Sequence, residues 1–178
     1  MSYWGSACPQ NGLTFTMGSL NTTTSTLPLT FTLANFLPAL GSFGSSLRMC
    51  DIVSTVVLPE GWKVTLNARG TTASGNAALP GNATMFLRGT YAFAQSAEIQ
   101  SIGMLDVTGP LTGLFARRLT PEEGDKGAVA PCGGGELDIE FQARAVQDSY
   151  PPWGNGMQRR AVNETSWTLS TDVEVSKC

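Results

Sequence analysis

The residues best suited to chemistry are three acidic side chains at alternate positions in the segment between Gly135 and Ala145. With acids from two other segments, the candidate carboxylates are Glu136, Asp138, Glu140, Asp106, Asp172 and Glu174. Glycoside hydrolysis needs two carboxyl groups at a set separation, one of them with a pKa raised by burial. Acids at alternate positions of a strand normally project into water. We therefore expect these carboxylates to solubilise the surface rather than to catalyse a reaction.

Other catalytic chemistries are missing from the sequence. It contains no histidine, which excludes Ser-His-Asp and Cys-His catalysis and the usual histidine-containing zinc sites. The four cysteines include no Cys-x-x-Cys pair, so a Cys₄ zinc site is not expected. The glycines at 133–135 precede a strand, whereas nucleotide-binding glycine loops precede a helix. We predict that the protein is not an enzyme and has no cofactor, with Ca²⁺ as the one exception to consider.

An aromatic segment is the best candidate for ligand contact. It contains Tyr150, Trp153 and Asn155, together with two prolines and two glycines. Aromatic rings can stack on the apolar faces of sugars while an amide bonds their hydroxyl groups, and proline would hold the ring at low entropic cost. Tyr3 and Trp4 could extend the same platform. The alternative is that these rings pack onto the core as a lid.

The strand that carries the first acids has a clear pattern. Apolar residues take the odd positions and polar ones the even positions, which separates a buried face from a wet face. Similar alternation recurs at 13–17, 29–33, 62–68, 85–93 and 167–175. We predict an all-β fold in a single domain, 1–178. It is expected to be an antiparallel β-sandwich of about 8–10 strands, or a barrel-like variant of one.

Some local features are also predicted. Segments 49–58 and 62–68 flank a short Pro-Glu-Gly turn and are expected to form a hairpin. Gly89 is a candidate β-bulge. Trp62 and Trp167 lie on the apolar parity of their strands, so both are expected in the core.

Composition narrows the possible partners. Charged residues are 14% of the chain, well below the usual quarter, and the formal net charge is −3. No basic field is present for nucleic acid, and no apolar run reaches the length of a membrane span. Four cysteines and the glycosylation sequons at Asn21, Asn82 and Asn163 favour an oxidising, extracellular compartment. Because no signal-peptide pattern follows Met1, a secreted form would already have lost its leader.

The contexts of the cysteines form an ordered set. They are Tyr-Trp-Gly-Ser-Ala-Cys-Pro, Met-Cys-Asp before Leu-Pro-Glu-Gly-Trp, Ala-Arg-Gly-Thr, Tyr-Ala-Phe, Thr-Gly-Pro, Pro-Cys-Gly and a terminal Cys. This order resembles a family of secreted proteins, mostly fungal with some bacterial members, known as DUF4360. The resemblance covers Gly5 to Cys178 and implies a small secreted β domain with two disulfides. It supplies no catalytic residues, and Ala7 stands where many members have glycine.

Four cysteines allow three pairings, of which we expect Cys8–Cys50 with Cys132–Cys178. Each bridge would close a loop of about 40 residues and stabilise the fold by about 4 kcal/mol.

The second bridge raises a question about the acids. If the strands that flank it paired antiparallel, Glu136 would oppose Glu174, and Asp138 would oppose Asp172. Opposed carboxylates repel each other across a sheet. Three outcomes are open: a shifted register, strands that are not neighbours, or a Ca²⁺ ion that bridges the four acids.

Two classes of function fit these observations. The first is a binding module at a cell wall or in the extracellular matrix, engaging a glycan or a protein surface. The second is a self-assembling structural protein that pairs with copies of itself through edge strands and its Thr-rich N-terminal segment. A weaker alternative is a secreted effector or inhibitor that acts on another organism's protein.

Overall fold

A computed structural model of the chain describes residues 1–36, 45–96, 99–147 and 166–178. These residues form an antiparallel all-β structure, which confirms the predicted fold class. Their strands are β1 (Ser2–Trp4), β2 (Leu13–Met17), β3 (Thr26–Leu33), β4 (Ser45–Val57), β5 (Trp62–Leu79), β6 (Ala83–Phe93), β7 (Ser101–Thr108), β8 (Leu111–Pro121), β9 (Ala128–Val129), β10 (Gly134–Gln147) and β11 (Trp167–Lys177). A single 3₁₀ turn spans Ala94–Ser96. No helix in these ranges has the length and apolarity needed to cross a membrane.

The strands form two layers. Sheet A has the order β1-β4-β10-β6-β7, and sheet B has the order β8-β5-β11-β3-β2. A short pairing between β7 and β8 joins the two sheets, and β9 adds to β5. Strand β10 lies at the centre of sheet A, between β4 and β6. The strand with the clearest alternation is therefore paired along most of its length on both sides.

The core lies between the inner faces of the two sheets. Phe141 of β10 contacts Phe31 of β3, with ring centroids 5.4 Å apart. Trp167 is fully buried and its ring lies 5.4 Å from that of Phe115, as expected for a core residue. The same expectation for Trp62 is wrong, since this residue is 37% exposed. Trp62 begins β5 directly after a turn, and its ring packs beneath the ammonium group of Lys177, 5.8 Å from the ring centroid.

Two local predictions are corrected by the strand pairing. Segments 49–58 and 62–68 do not form a hairpin, because β4 pairs with β1 and β10 whereas β5 pairs with β8, β9 and β11. The turn between these segments instead carries the chain from sheet A to sheet B. A short turn between two alternating segments is compatible with a hairpin and with such a crossing, so the sequence alone does not distinguish them. Gly89 is not a bulge, since it keeps register with Phe141 and with Gly103. A Cβ at this position would make ordinary van der Waals contact with the Phe141 ring, 3.5 Å away.

Both expected disulfides are present, Cys8–Cys50 and Cys132–Cys178. The first fixes the segment between β1 and β2 to the inner side of β4. The second joins the residue that precedes β10 in sheet A to the end of β11 in sheet B. Each bridge therefore restrains a connection that crosses between the layers.

A line of polar side chains runs through the core between the sheets. Thr71 Oγ1 donates to Asn67 Oδ1 at 2.9 Å, so the hydroxyl of Tyr91 must donate to Thr71 Oγ1, at 2.6 Å. Asn67 Nδ2 donates to Ser101 Oγ at 2.9 Å, and Ser101 Oγ donates to Asp125 Oδ2 at 2.8 Å. Burial raises the pKa of Tyr91, which keeps its hydroxyl protonated as a donor. These groups satisfy one another, so we assign them a structural role.

Candidate functional site

The outer face of sheet A brings acidic and aromatic side chains together. Trp4 lies opposite Asp51, Asp51 lies opposite Glu140, and Glu140 lies opposite Thr90. These four residues form one row across four strands, which we call the central row. Neighbouring strands lie about 4.8 Å apart, so the row is roughly 14 Å long. That length suits an extended ligand rather than a single ion.

A second row lies beside the central row on the same face. It contains Met49, Gln142, Arg88 and Met104 on β4, β10, β6 and β7. Gln142 Nε2 donates a hydrogen bond to Glu140 Oε1 and so links the two rows. This hydrogen bond helps to hold the Glu140 carboxylate in place.

The carboxyl groups of Asp51 and Glu140 are direct neighbours in the central row. Partial burial raises the pKa of Asp51, and the negative charge of Glu140 and a hydrogen bond to it raise that pKa further. The oxygens of both carboxyl groups are hydrogen-bond acceptors. They could accept hydrogen bonds from neighbouring hydroxyl groups of a polyol.

Two polar atoms on this face lack a partner. Arg88 Nε and Thr90 Oγ1 are shielded from solvent and make no hydrogen bond to the described residues. They belong to neighbouring rows on β6. Buried polar atoms in native proteins are nearly always satisfied, by protein, water or ligand. The hydrogen-bonding capacity of these two atoms is therefore not used within the described residues.

The aromatic side chains of β1 divide between the two faces of sheet A. Trp4 points outward and is 53% exposed, beside the acid pair. Tyr3 packs against the core, and its hydroxyl accepts a hydrogen bond from the Asn11 backbone N–H at 3.0 Å. Of the two rings considered for a stacking platform, only Trp4 is therefore placed for that role. Phe86 is partly exposed farther along the same face, opposite Arg144.

Several residues predicted as sites lie outside the described residues, namely Tyr150, Trp153, Asn155 and Asn163. The other two sequons have different environments. Asn21 is exposed in the turn between β2 and β3, where its Oδ1 accepts from the Thr23 backbone N–H at 2.9 Å. Asn82 is half-buried, and its Oδ1 accepts from Gln147 Nε2 at 3.2 Å.

The four acids considered for a calcium site do not meet. Strand β10 pairs with β4 and β6, whereas β11 pairs with β3 and β5. Glu136 and Asp138 therefore lie on the outer face of sheet A, and Asp172 and Glu174 on the outer face of sheet B. Glu174 instead forms an ion pair with Arg69, with Nε and Oε1 2.8 Å apart. Within the described ranges, no group of three or more Cys, Asp or Glu residues is arranged to hold a metal ion. Of the three outcomes left open, the strands are simply not neighbours.

The outer face of sheet B has a different chemistry. Its strands present hydroxyl side chains in two parallel rows, formed by Thr14, Thr32, Thr168 and Ser74 and by Thr16, Thr30, Ser170 and Thr72. Hydroxyl groups pair across the strands, for example Thr30 with Ser170 at 2.9 Å. At one end of these rows is a depression of about 460 Å³. Its described lining contains no ionisable side chain.

Sequence reasoning identified Glu140 and Trp4 but not Asp51, Arg88 or Gln142 as possible site residues. Their clustering depends on the register of β4, β10 and β6, which period-two alternation does not specify. The sequence offered one signal of this site, since Asp51 is the single acid within the β-branched segment 49–58.

Together, the sheet order and the bridges define a disulfide-linked antiparallel β-sandwich with an exposed aromatic and carboxylate face. The chain belongs to the family described as Domain of unknown function (DUF4360), whose model matches residues 1–178. No curated protein matches it in sequence.

Solved structures that align with most of this chain include three carbohydrate-binding modules. One is a family 61 module in complex with β-1,4-galactotriose, with 10% identity, coverage of 99% of this chain and 88% of that one, and a TM-score of 0.29. A mannan-recognising family 27 module has 9% identity, coverage of 99% and 89%, and a TM-score of 0.33. A family 28 module specific for non-crystalline cellulose has 11% identity, coverage of 94% and 86%, and a TM-score of 0.31. Each ligand named here is the ligand of the module concerned and is not assigned to this chain.

Proposed function

We propose that the protein is a non-enzymatic extracellular module that binds a glycan on the outer face of sheet A. The observation that carries this proposal is the central row, in which exposed Trp4 lies beside the Asp51–Glu140 pair. An indole ring can stack on the apolar face of a sugar, and the carboxyl groups beside it can bond the hydroxyls at the ring edge.

The acid pair supports binding rather than hydrolysis. Glycosidases separate their two carboxyl groups by about 5 Å or more, so that a sugar carbon fits between them. Asp51 and Glu140 lie directly opposite each other on β4 and β10 and both face outward from sheet A. Both carboxyl groups would therefore lie on the same side of a sugar that rests on this sheet, whereas the two acids of a glycosidase flank its scissile bond. A ligand would therefore lie over the pair.

An extracellular location is part of the proposal. Two disulfides are typical of proteins that fold in an oxidising compartment. Of the two sequons within the described residues, Asn21 is the better acceptor for an N-glycan. It is exposed in a turn, whereas Asn82 is half-buried beside Gln147. Both sequons lie off the central row, so glycans at these positions would leave Trp4 open.

The test is a glycan array followed by calorimetry with the tightest binder. Trp4→Ala is expected to weaken binding at least about tenfold, or 1.4 kcal/mol, because it removes the stacking surface. Glu140→Gln should also weaken binding. Leu114→Ala is the matched control, since this side chain is 88% exposed on β8 of sheet B.

Two results would contradict the proposal. One is failure of the wild-type chain to bind any glycan on the array. The other is full binding by Trp4→Ala with loss of binding in Trp153→Ala, which would assign recognition to the aromatic segment at 150–156 instead.

A further inference from the structure

The edge strand of sheet B lacks the usual protection against pairing. β2 is the last strand in the sheet order and has β3 as its one described neighbour. Natural edge strands are usually blocked by charges, proline or bulges. Residues 1–47 contain no charged side chain, and β2 contains no proline. Phe15 and Met17 of β2 are 49% and 67% exposed.

Among the described residues, no strand pairs with the outer side of the β2 backbone. The Gly18 N–H donates to the Pro28 carbonyl at 2.8 Å, and the Gly12 carbonyl accepts from the Ala34 N–H at 2.8 Å. Even-numbered residues of β2 therefore direct their backbone groups toward β3. Because these directions alternate along an antiparallel strand, the groups of Leu13, Phe15 and Met17 point outward.

The sequence of β2 is self-complementary in antiparallel pairing. It reads Leu-Thr-Phe-Thr-Met, with apolar residues at both ends and at the centre. If two copies pair about a two-fold axis at Phe15, Leu13 of one lies opposite Met17 of the other, and Thr14 lies opposite Thr16. Apolar residues then meet apolar residues on the inner side, and threonines meet on the outer side. The outward groups of Leu13, Phe15 and Met17 would form roughly six hydrogen bonds.

We propose that the free edge of β2 is a homodimer interface, at which sheet B continues into the same sheet of a second copy. The pairing is isologous, so one strand supplies both halves. β2 itself carries no charge that would oppose the pairing. It covers Phe15 and Met17, and it extends the two hydroxyl rows of sheet B across the interface. The interface is separate from sheet A, so each dimer would present two central rows.

The test is the molar mass in solution as a function of concentration, by light scattering and sedimentation. The wild-type chain is expected to approach twice the monomer mass as concentration rises. Phe15→Lys should remain monomeric, because it places a charge at the two-fold axis. Leu114→Lys introduces the same charge on exposed β8 and should dimerise like the wild type.

Phe15→Pro tests whether backbone hydrogen bonds hold the dimer together, without disturbing the fold of the monomer. Its missing N–H is an outward one, so the pairing of β2 with β3 keeps its hydrogen bonds while the dimer loses two. We expect a folded monomer with a thermal transition close to that of Phe15→Ala. The proposal is overturned by a wild type that stays monomeric up to roughly millimolar concentration, or by a Phe15→Lys dimer.

A covalent trap gives a second readout. Residues directly opposite in a hydrogen-bonded antiparallel pair have Cα atoms about 5.5 Å apart, within the range of a disulfide. Phe15→Cys should therefore form a covalent dimer on mild oxidation, whereas exposed Leu114→Cys should form little. Equal yields from the two variants would contradict the register. Trp4→Ala should leave dimerisation unchanged, so failure of this proposal is distinguishable from failure of glycan binding.

Discussion

Asp51 and Glu140 illustrate how an outward-facing pair of acids can be costly and still suited to binding. Like charges directly opposite each other on a sheet destabilise it. The hydrogen bond from Gln142 to Glu140 reduces that cost but does not remove it. A ligand that bonds both carboxyl groups would relieve the remaining repulsion. Removal of one of the two charges is therefore expected to raise the stability of the fold and to lower its affinity for a glycan.

We predict that Asp51→Asn stabilises the protein at neutral pH by a few tenths to about 1 kcal/mol. The pKa of Asp51 is raised in the folded state above the 3.8 of the unfolded chain. Its stabilising contribution is therefore complete below pH 3.8 and is lost as the pH rises through the folded-state pKa. The gain from Asn should be present at pH 7 and vanish near pH 3.

Denaturant unfolding at the two pH values measures this effect. Asp138→Asn is the control, because Asp138 lies opposite Val53 and Ala92 rather than another acid. A loss of stability in Asp51→Asn at pH 7, or an equal gain at both pH values, would contradict the assigned repulsion.

Among individual residues, the sequence predicted side-chain orientation better than side-chain proximity. The parity of Glu140 and Asp138 correctly indicated a wet face, because alternation along one strand is a local property. The neighbours of Asp51 depend on which strands pair and in what register, and those are non-local. The same limit explains why Glu136 and Glu174 were considered as partners although they lie on opposite faces of the sandwich.

At the scale of elements, the polar line through the core joins β6 of sheet A to β5 of sheet B. Tyr91 and Thr71 form the contact between the sheets, and Asn67 continues it. Such side chains can hold two sheets in one arrangement, because each must find its partner in a low-dielectric interior. The alternation in 85–93 indicated that Tyr91 faces inward. It gave no sign that a hydroxyl on β5 would face it.

We predict that Tyr91→Phe lowers the free energy of unfolding by about 1–2 kcal/mol, since the substitution leaves buried Thr71 with one bond fewer. The measurement is denaturant unfolding at neutral pH. Tyr3→Phe is a matched control, because the Tyr3 hydroxyl bonds Asn11 at the exposed surface and its loss should cost less than about 0.5 kcal/mol. Equal effects of the two substitutions would show that the buried line contributes nothing beyond an ordinary surface bond.

Comparison with the observed strand pairing shows which features the alternation predicted and which it did not. The pattern of β10 was enough to predict a strand with a buried odd face. The turn at 59–61 was not enough to choose between a hairpin and a crossing between layers, because both join two antiparallel segments. The wrong prediction for Trp62 has a related cause. Its parity places it on the inner face, but it is the first residue of β5, where parity is a weak guide to burial.

For the whole molecule, the two bridges act on connections between layers rather than within a sheet. Cys8–Cys50 and Cys132–Cys178 close segments of 42 and 46 residues, so chain entropy gives each about the same stabilisation, roughly 4 kcal/mol. Their surroundings differ. Cys8 and Cys50 are buried, whereas Cys132 and Cys178 are exposed. The expected pairings were confirmed, but this difference in burial follows only from the fold.

We therefore predict that Cys8→Ser with Cys50→Ser destabilises the protein more than Cys132→Ser with Cys178→Ser. The exposed pair should lose about 4 kcal/mol, and the buried pair should lose a further 1–3 kcal/mol or so, because two hydroxyl groups enter an apolar interior. Denaturant unfolding of the two double variants gives the comparison. Cys8→Ala with Cys50→Ala removes the hydroxyl groups and should bring the buried pair closer to the exposed one. If the serine variants are equally stable, burial around Cys50 does not contribute, and loop closure alone accounts for both bridges.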